Sequence, residues 1–227
     1  AVKLAASSDE IVTLAAQGGV DVVTAPSDAS LRLVRAGHVQ PVNLGLVPSF
    51  ANVDPRLRQA PWHYIDGRPY GTPLQWAPNV LAYSRKAFAA APASWSVVFE
   101  PKLLADGRSN AGRVQALRSP MLIADAALYL KAREPGLGID DPYALSEVQY
   151  AAVLELLRRQ RPLLQRYWSD AGVAVQDFAA GAVVVAHSRP FVVNTLAASG
   201  EPVASAVPAE GTTGWADTLM VAAGAKH

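Results

Sequence analysis

An apolar run that stops at a Pro-Ser-Asp triplet is the feature that most constrains the fold of this chain. Residues 19–43 read GVDVVTAPSDASLRLVRAGHVQPVN, and the triplet is formed by Pro26, Ser27 and Asp28. Pro26 cannot continue the hydrogen-bond ladder of a strand, and Ser27 or Asp28 can accept from the first N–H groups of a helix. A strand end that meets a helix start is the usual ligand crevice of an open α/β sheet, and it is equally typical of an ordinary capped connection.

The segment before the triplet predicts a βαβ unit. Residues 2–5 predict a short strand, and Ser7 and Glu10 have the spacing of a capping box at the start of a helix. Gly18 and Gly19 end this helix, because glycine tolerates the positive φ of a helix C-terminus. Strand, helix and strand in this order predict a right-handed crossover between two parallel strands.

Strands and helices continue to alternate along the rest of the chain. Apolar runs predict four more strands, at residues 80–84, 114–119, 182–188 and 214–222. Helical spacing predicts one helix after Pro120 and another from the pair Asp141-Pro142, in which an acidic cap precedes proline. This alternation predicts an α/β fold.

Composition excludes several classes of protein. The chain has 227 residues, of which 51% are hydrophobic, and its net charge is only +1, with the basic residues scattered along the sequence. These values argue against disorder and against a nucleic-acid or anionic-membrane partner. The absence of cysteine excludes disulfides and thiolate metal sites.

Enzyme motifs are weak in this sequence. The four histidines are widely separated, so no metal site is expected, and no phosphate-binding glycine motif predicts a nucleotide cofactor. His187 and Ser188 end a predicted strand, but no GxSxG elbow accompanies them. We therefore expect neither catalysis nor a cofactor, with an enzyme that uses His187 as a remaining alternative.

Polar and aromatic residues collect at the predicted strand ends. The set comprises Ser27, Asp28, Trp76, Arg118, Ser119, His187, Ser188, Arg189, Trp215 and Asp217. Trp76 and Trp215 each precede an apolar strand, where they would line a cleft between two lobes. Aromatic walls with a few polar groups are typical of sites for small solutes, although an isolated tryptophan is more often part of a core.

Four segments, in order, resemble one known family. They are DVVTAPSDASLRLVRAGHVQPVN, IDGRPYGTPLQWAPNVLAYS, ASWSVVFEP and GWADTLMVAAGAKH. Together they resemble the spermidine/putrescine-type extracellular solute-binding proteins of bacterial ABC importers. The resemblance implies a type II periplasmic-binding-protein fold with two α/β lobes joined by hinge strands. Lobe 1 would comprise residues 1–81 with 216–227 crossing back, and lobe 2 residues 82–215.

The resemblance also implies the positions of a ligand site. Ser27 and Asp28 fall on the first-lobe loop that faces the ligand, and Trp76 falls on a hinge strand. Trp215 falls on the aromatic wall, and Asp217 on the carboxylate that binds an amino group in polyamine binders. A carboxylate beside indole faces suits an ammonium group, through charge-assisted hydrogen bonds and cation–π attraction.

Departures from the family pattern change the expected ligand. Arg118 and Ser119 stand where polyamine binders carry an acidic pair, and Leu122 stands near the expected second acid. A guanidinium next to a polycation is unfavourable. The predicted solute therefore carries an amino group for Asp217 and a carboxylate or phosphate for Arg118, with His187 giving an orienting hydrogen bond.

Partners and location follow from the same resemblance. It implies a small-molecule solute, a membrane permease and a periplasmic or extracellular location. By this resemblance the family's N-terminal strand and helix and its C-terminal helices are missing, so lobe 1 is expected to be incomplete. The chain is then expected to recruit a partner chain, to pair with itself or to be part of a longer protein. The alternative function is a ligand-sensing module of a regulatory protein with the same fold.

Overall fold

The computed structural model describes residues 2–5 and 7–226, and these form two compact units. Unit 1 combines Ala1–Ala77 with Trp215–His227, and unit 2 is Pro78–Gly214. The chain thus enters unit 2 after Ala77 and leaves it after Gly214, whereas the sequence placed these two points after residues 81 and 215. Trp215 consequently belongs to the same unit as Asp217.

Unit 1 is an α/β unit built around one sheet. Its helices are α1 (Ser8–Gln17), α2 (Ser27–Arg35) and α3 (Pro55–Arg58), with 3₁₀ turns at Leu44–Leu46 and Pro48–Asn52. Its strands are β1 (Val22–Pro26), β2 (Val39–Gln40), β3 (Tyr64–Ile65), β4 (Arg68–Pro69), β5 (Gly71–Pro78) and β11 (Gly214–Ala222). β11 lies between β1 and β2 and also pairs with β5, while β3 and β4 form a separate hairpin.

The central position of β11 corrects the predicted βαβ unit. Residues 2–5 form no strand, and β1 pairs antiparallel with β11, so that Pro26 lies opposite Asp217. The predicted parallel pair is therefore wrong. The partner of β1 comes from the other end of the chain, and such a distant pairing leaves no trace in the local pattern of residues 2–26.

The helix ends of unit 1 follow the sequence in one case and not in the other. The Ser7 hydroxyl accepts from the Glu10 N–H at 3.2 Å, and Gly18 ends α1 with a φ of 72°. For α2, the predicted cap by Ser27 or Asp28 is wrong: the N-cap position is Pro26, and it has no side-chain hydrogen bond. Both α1 and α2 pack on β1, and this packing buries Val23, Ala25, Ala29 and Leu33.

Unit 2 contains a five-stranded mixed sheet in the order β10-β6-β9-β7-β8. Its strands are β6 (Val80–Ser84), β7 (Val114–Leu117), β8 (Leu164–Trp168), β9 (Val185–Ser188) and β10 (Val203–Ala206). Its helices are α4 (Ser96–Phe99), α5 (Pro120–Arg133), α6 (Glu147–Gln160), α7 (Ala171–Ala179) and α8 (Pro190–Ala198), with 3₁₀ turns at Pro135–Leu137 and Arg161–Leu163. β7 runs parallel to β8 and β9, and β6 runs antiparallel to β9 and β10.

Two apolar clusters cover the sheet of unit 2. One is built on Trp95, Phe99 and Tyr129, and the other on Trp168 and Phe178. Every residue of β6, β7 and β9 is buried, as is typical of strands covered on both faces. Across the described residues, no helix is both long and apolar enough to span a bilayer.

The start of α6 differs from its predicted position. The helix begins after Ser146, whose hydroxyl accepts from the Gln149 N–H while the Gln149 side chain accepts from the Ser146 N–H. Asp141 instead accepts from the N–H of Tyr143 at 2.8 Å in a turn. The acidic cap before proline was thus a turn signal, because Asp closes such turns as readily as it caps helices.

We expect His63 to make the stability of unit 1 depend on pH. The ring has no exposed surface, its Nε2 donates to the Leu57 carbonyl at 2.8 Å, and burial lowers the pKa of His63 below its usual 6.5 despite that hydrogen bond. Below pH 6.5 the unfolded chain therefore binds a proton more readily than the folded chain. We expect the free energy of unfolding to fall with decreasing pH below 6.5, by at most about 1.4 kcal/mol per pH unit.

Urea unfolding at pH 7.5 and 5.5 measures this loss, with His63→Gln as the matched variant. Glutamine can keep the hydrogen bond to Leu57 but does not titrate. The variant should lose less stability than the wild type between the two pH values. Equal losses in both proteins would contradict the assignment to His63.

Candidate functional site

The first residues of β11 include two of the predicted site residues, and both lie on one face of the strand. Trp215 and Asp217 are two positions apart, so they project to the same side of the strand. Both are half-buried, whereas Ala216 between them is buried against the opposite side. The strand therefore places an indole and a carboxylate next to each other at its start.

The Asp217 carboxylate has an amide partner and, among the described residues, no cationic one. Gln75 Nε2 donates to Asp217 Oδ2 at 2.6 Å, and Asp217 is absent from the ion pairs within 4.0 Å found among the described residues. A half-buried carboxylate without a cationic partner attracts a positively charged group. The sequence reasoning missed Gln75, although its place beside Trp76 in the segment PLQWAP could have suggested it.

The start of α2 meets β11 at the same point. Ser27 Oγ donates to the Ala216 carbonyl at 3.4 Å, because Pro26 lies opposite Asp217 in the antiparallel register. Asp28 is exposed in the first turn of α2. The structure thus brings Ser27, Trp215 and Asp217 together and places Asp28 on the adjacent helix end.

Trp76 lies near the end of β5 and faces a groove. Its side chain is 53% exposed, and the Arg56 guanidinium carbon lies 5.9 Å from the ring centroid. Arg56 is fixed by hydrogen bonds of 3.1 and 2.7 Å to the carboxylate of Asp54, and these bonds hold the pKa of Asp54 at about 2. The groove has a volume of about 300 Å³ and is lined by Val47, Phe50, Leu57, Leu74, Gln75 and Trp76. A cation of the protein itself therefore already occupies one face of this indole.

Arg118 and Ser119 lie at the carboxyl end of β7 in unit 2. The Arg118 N–H donates to the Trp168 carbonyl at 2.7 Å, and its exposed side chain forms no ion pair with any described residue. Ser119 caps α5 by accepting from the Met121 N–H at 3.3 Å. This strand end and helix start provide a guanidinium that is available to an anion.

His187 does not lie at a surface. Its side chain has no exposed area, its Nε2 bonds to Asp125 Oδ2 at 2.6 Å, and its carbonyl accepts from the Trp168 indole at 3.1 Å. The expectation that His187 gives a hydrogen bond to a ligand is therefore corrected. Strand residues of an apolar run are buried together, and a histidine among them takes a buried partner.

No metal-binding cluster is present in the part of the chain that the structure describes, since no three His, Asp or Glu side chains there could hold an ion.

The candidate site is the face of unit 1 where the start of β11 meets the start of α2 and the end of β5. It is defined by Ser27, Asp28, Gln75, Trp215 and Asp217. Arg118 and Ser119 are the corresponding strand-end residues of unit 2.

Comparison with known proteins shows the family and the fold of the chain. The family model described as bacterial extracellular solute-binding protein matches residues 5–227. The putrescine/agmatine-binding protein of Pseudomonas aeruginosa is 26% identical over 223 residues, which cover 93% of this chain and 58% of that protein. The chain thus spans little more than half the length of this relative.

Solved structures confirm the predicted α/β, type II periplasmic-binding-protein fold. The Tp0655 (TpPotD) lipoprotein of Treponema pallidum has a TM-score of 0.78 at 20% identity, over 97% of this chain and 66% of that one. AgtB of A. tumefaciens R10, solved in complex with agropinic acid, has a TM-score of 0.69 at 17% identity, over 97% of this chain and 61% of that one.

Proposed function

The chain belongs to the family of bacterial extracellular solute-binding proteins, and we propose that it captures a small amino-bearing solute for a bacterial ABC importer. The observation that carries this proposal is the half-buried Asp217 carboxylate, which has an amide partner and no cationic one among the described residues. The proposal includes a membrane permease as partner and a periplasmic or extracellular location.

Asp217 binds the amino group of the solute. Gln75 holds Oδ2 at 2.6 Å and thereby orients the carboxylate, so that an ammonium group can approach the other oxygen. The indole of Trp215 on the same face adds cation–π attraction. Ser27 and Asp28, at the adjacent helix start, supply further polar groups.

The solute also carries an anionic group. Arg118 is exposed and without an ion pair in the described part of unit 2, and beside it Ser119 begins a helix. We assign the anionic group to these two residues, because a guanidinium repels a polycation and binds a carboxylate or phosphate. AgtB, a neighbour of the same fold solved in complex with agropinic acid, supports the assignment of an acidic group.

Two matched pairs of small molecules test the proposal. Ornithine differs from putrescine, and arginine from agmatine, by one carboxylate. Isothermal titration should show each amino acid binding at least about tenfold more tightly than its decarboxylated partner, because a hydrogen bond to a charged group contributes about 1.5–3 kcal/mol. Arg118→Glu should abolish or reverse that preference.

The titrations test two claims separately, that the protein binds an amino-bearing solute and that this solute carries an anionic group. Tight binding of putrescine or spermidine that Arg118→Glu leaves undiminished would contradict the anionic group while supporting capture of an amine. No detectable binding of any of the five compounds would contradict capture by Asp217.

A further inference from the structure

A buried carboxylate lies where the chain enters and leaves unit 2. Asp125 is on α5 and has no exposed surface. Asn79 follows the entry point at Pro78, and Thr213 precedes the exit point at Gly214. Both residues are buried, and both contact Asp125.

Asp125 accepts hydrogen bonds from both connecting segments, the one at Asn79 through which the chain enters unit 2 and the one at Thr212 and Thr213 through which it leaves. Its Oδ1 accepts from the Thr213 N–H at 2.6 Å, and its Oδ2 accepts from Thr213 Oγ1 at 2.9 Å and from Asn79 Nδ2 at 3.2 Å. His187 Nε2 bonds to Oδ2 at 2.6 Å, and Thr212 Oγ1 donates to Oδ1 at 3.4 Å. A buried carboxylate is tolerated in a protein interior when donors surround it in this way, and removing it leaves those donors unsatisfied.

The two segments are also bonded to each other. The Asn79 N–H donates to the Thr213 carbonyl at 2.8 Å, and the Asn79 side-chain amide donates to Thr213 Oγ1 at 2.7 Å. Thr212 Oγ1 donates to the Asn79 carbonyl at 3.0 Å. Asp125 therefore holds a joined pair of segments rather than two separate loops.

These segments continue directly into the strands that carry the proposed solute residues. Asn79 comes four positions after Gln75 on β5, and Thr213 comes four positions before Asp217 on β11. Resting on the proposed function, we propose that Asp125 is a positioning residue for the solute site. It fixes the end of β5 and the start of β11, and through them the Gln75–Asp217 pair.

Asp125→Asn tests this role with little change in shape. The amide puts an NH₂ group where a carboxylate oxygen accepted, so it opposes a donor of Thr213, Asn79 or His187. Backbone amides of residues 79–84 and 212–219 should exchange with deuterium at least about tenfold faster. The affinity for ornithine should fall about tenfold.

Tyr129→Phe is the matched control. Tyr129 lies one turn further along α5, is 1% exposed, and donates its hydroxyl to the carboxylate of Glu100. The variant removes a buried hydrogen bond from the same helix but touches neither segment. Exchange in both segments and the affinity for ornithine should stay within about twofold of the wild type.

Thr213→Val serves if Asp125→Asn does not fold, because it removes the hydroxyl that bonds Asp125 and Asn79 while keeping the size of the side chain. It should produce the same changes at smaller amplitude.

Unchanged hydrogen exchange in whichever variant folds overturns the anchoring role of Asp125. Faster exchange with unchanged ornithine affinity overturns the positioning role. A wild type that binds none of the probes contradicts the proposed function and the affinity effect, while exchange still decides the anchoring.

Discussion

Asp217→Asn is expected to weaken binding of the amino-bearing solute by about 30- to 150-fold with little change in stability. Loss of one partner of a desolvated charged hydrogen bond costs about 2–5 kcal/mol, and the half-exposed position of Asp217 puts the effect at the lower end, about 2–3 kcal/mol. Asparagine keeps the size of the side chain and an oxygen for Gln75 Nε2. The loss of affinity therefore measures the contribution of the negative charge and not a rearrangement of β11.

Titration calorimetry with ornithine measures the effect of Asp217→Asn, and Asp66→Asn is its control. Asp66 lies exposed in the turn between β3 and β4, so its replacement makes the same change in net charge away from the site. The control should bind as the wild type does. A loss of less than threefold for Asp217→Asn in a folded protein, or an equal loss in the control, would remove Asp217 from the site.

Gly71→Ala is expected to destabilise unit 1 by about 2–3 kcal/mol and to weaken solute binding with it. A Cβ at this position would lie 2.5 Å from the Leu219 carbonyl oxygen and 2.6 Å from Thr218 Cγ2. These atoms belong to β11, which cannot yield without shifting its pairing with β1 and β2. Overpacking of this kind usually costs about 1–3 kcal/mol.

Gly136→Ala isolates the steric effect. Both substitutions restrict the unfolded chain, which by itself raises the free energy of unfolding by up to about 1 kcal/mol. A Cβ at Gly136, however, would meet no atom within 4 Å. Urea unfolding compares the stability of the two variants, and hydrogen exchange of the peptide that contains β11 compares the local stability of that strand. Equal stability of the two would show that β5 does not approach β11 as closely as Gly71 indicates.

Local signals in the sequence predicted many elements correctly. The strands β6 and β11 have the predicted bounds, and α1 is capped by Ser7 and Gly18 as expected. These predictions succeeded because apolar periodicity, caps and glycine turns depend on neighbours within a few residues. The strand-end positions of Asp217 and Arg118 were visible for the same reason.

The site itself depends on contacts between distant residues. Ser27 meets the Ala216 carbonyl across 189 positions, and Gln75 meets Asp217 across 142. No local pattern encodes such pairings, so neither the bond between Gln75 and Asp217 nor the buried bond between His187 and Asp125 could be predicted. The sequence alone determined the elements and the chemical groups at their ends. Only the tertiary structure decided which ends meet, because the antiparallel pairing of β11 with β1 is specified by packing across the whole of unit 1.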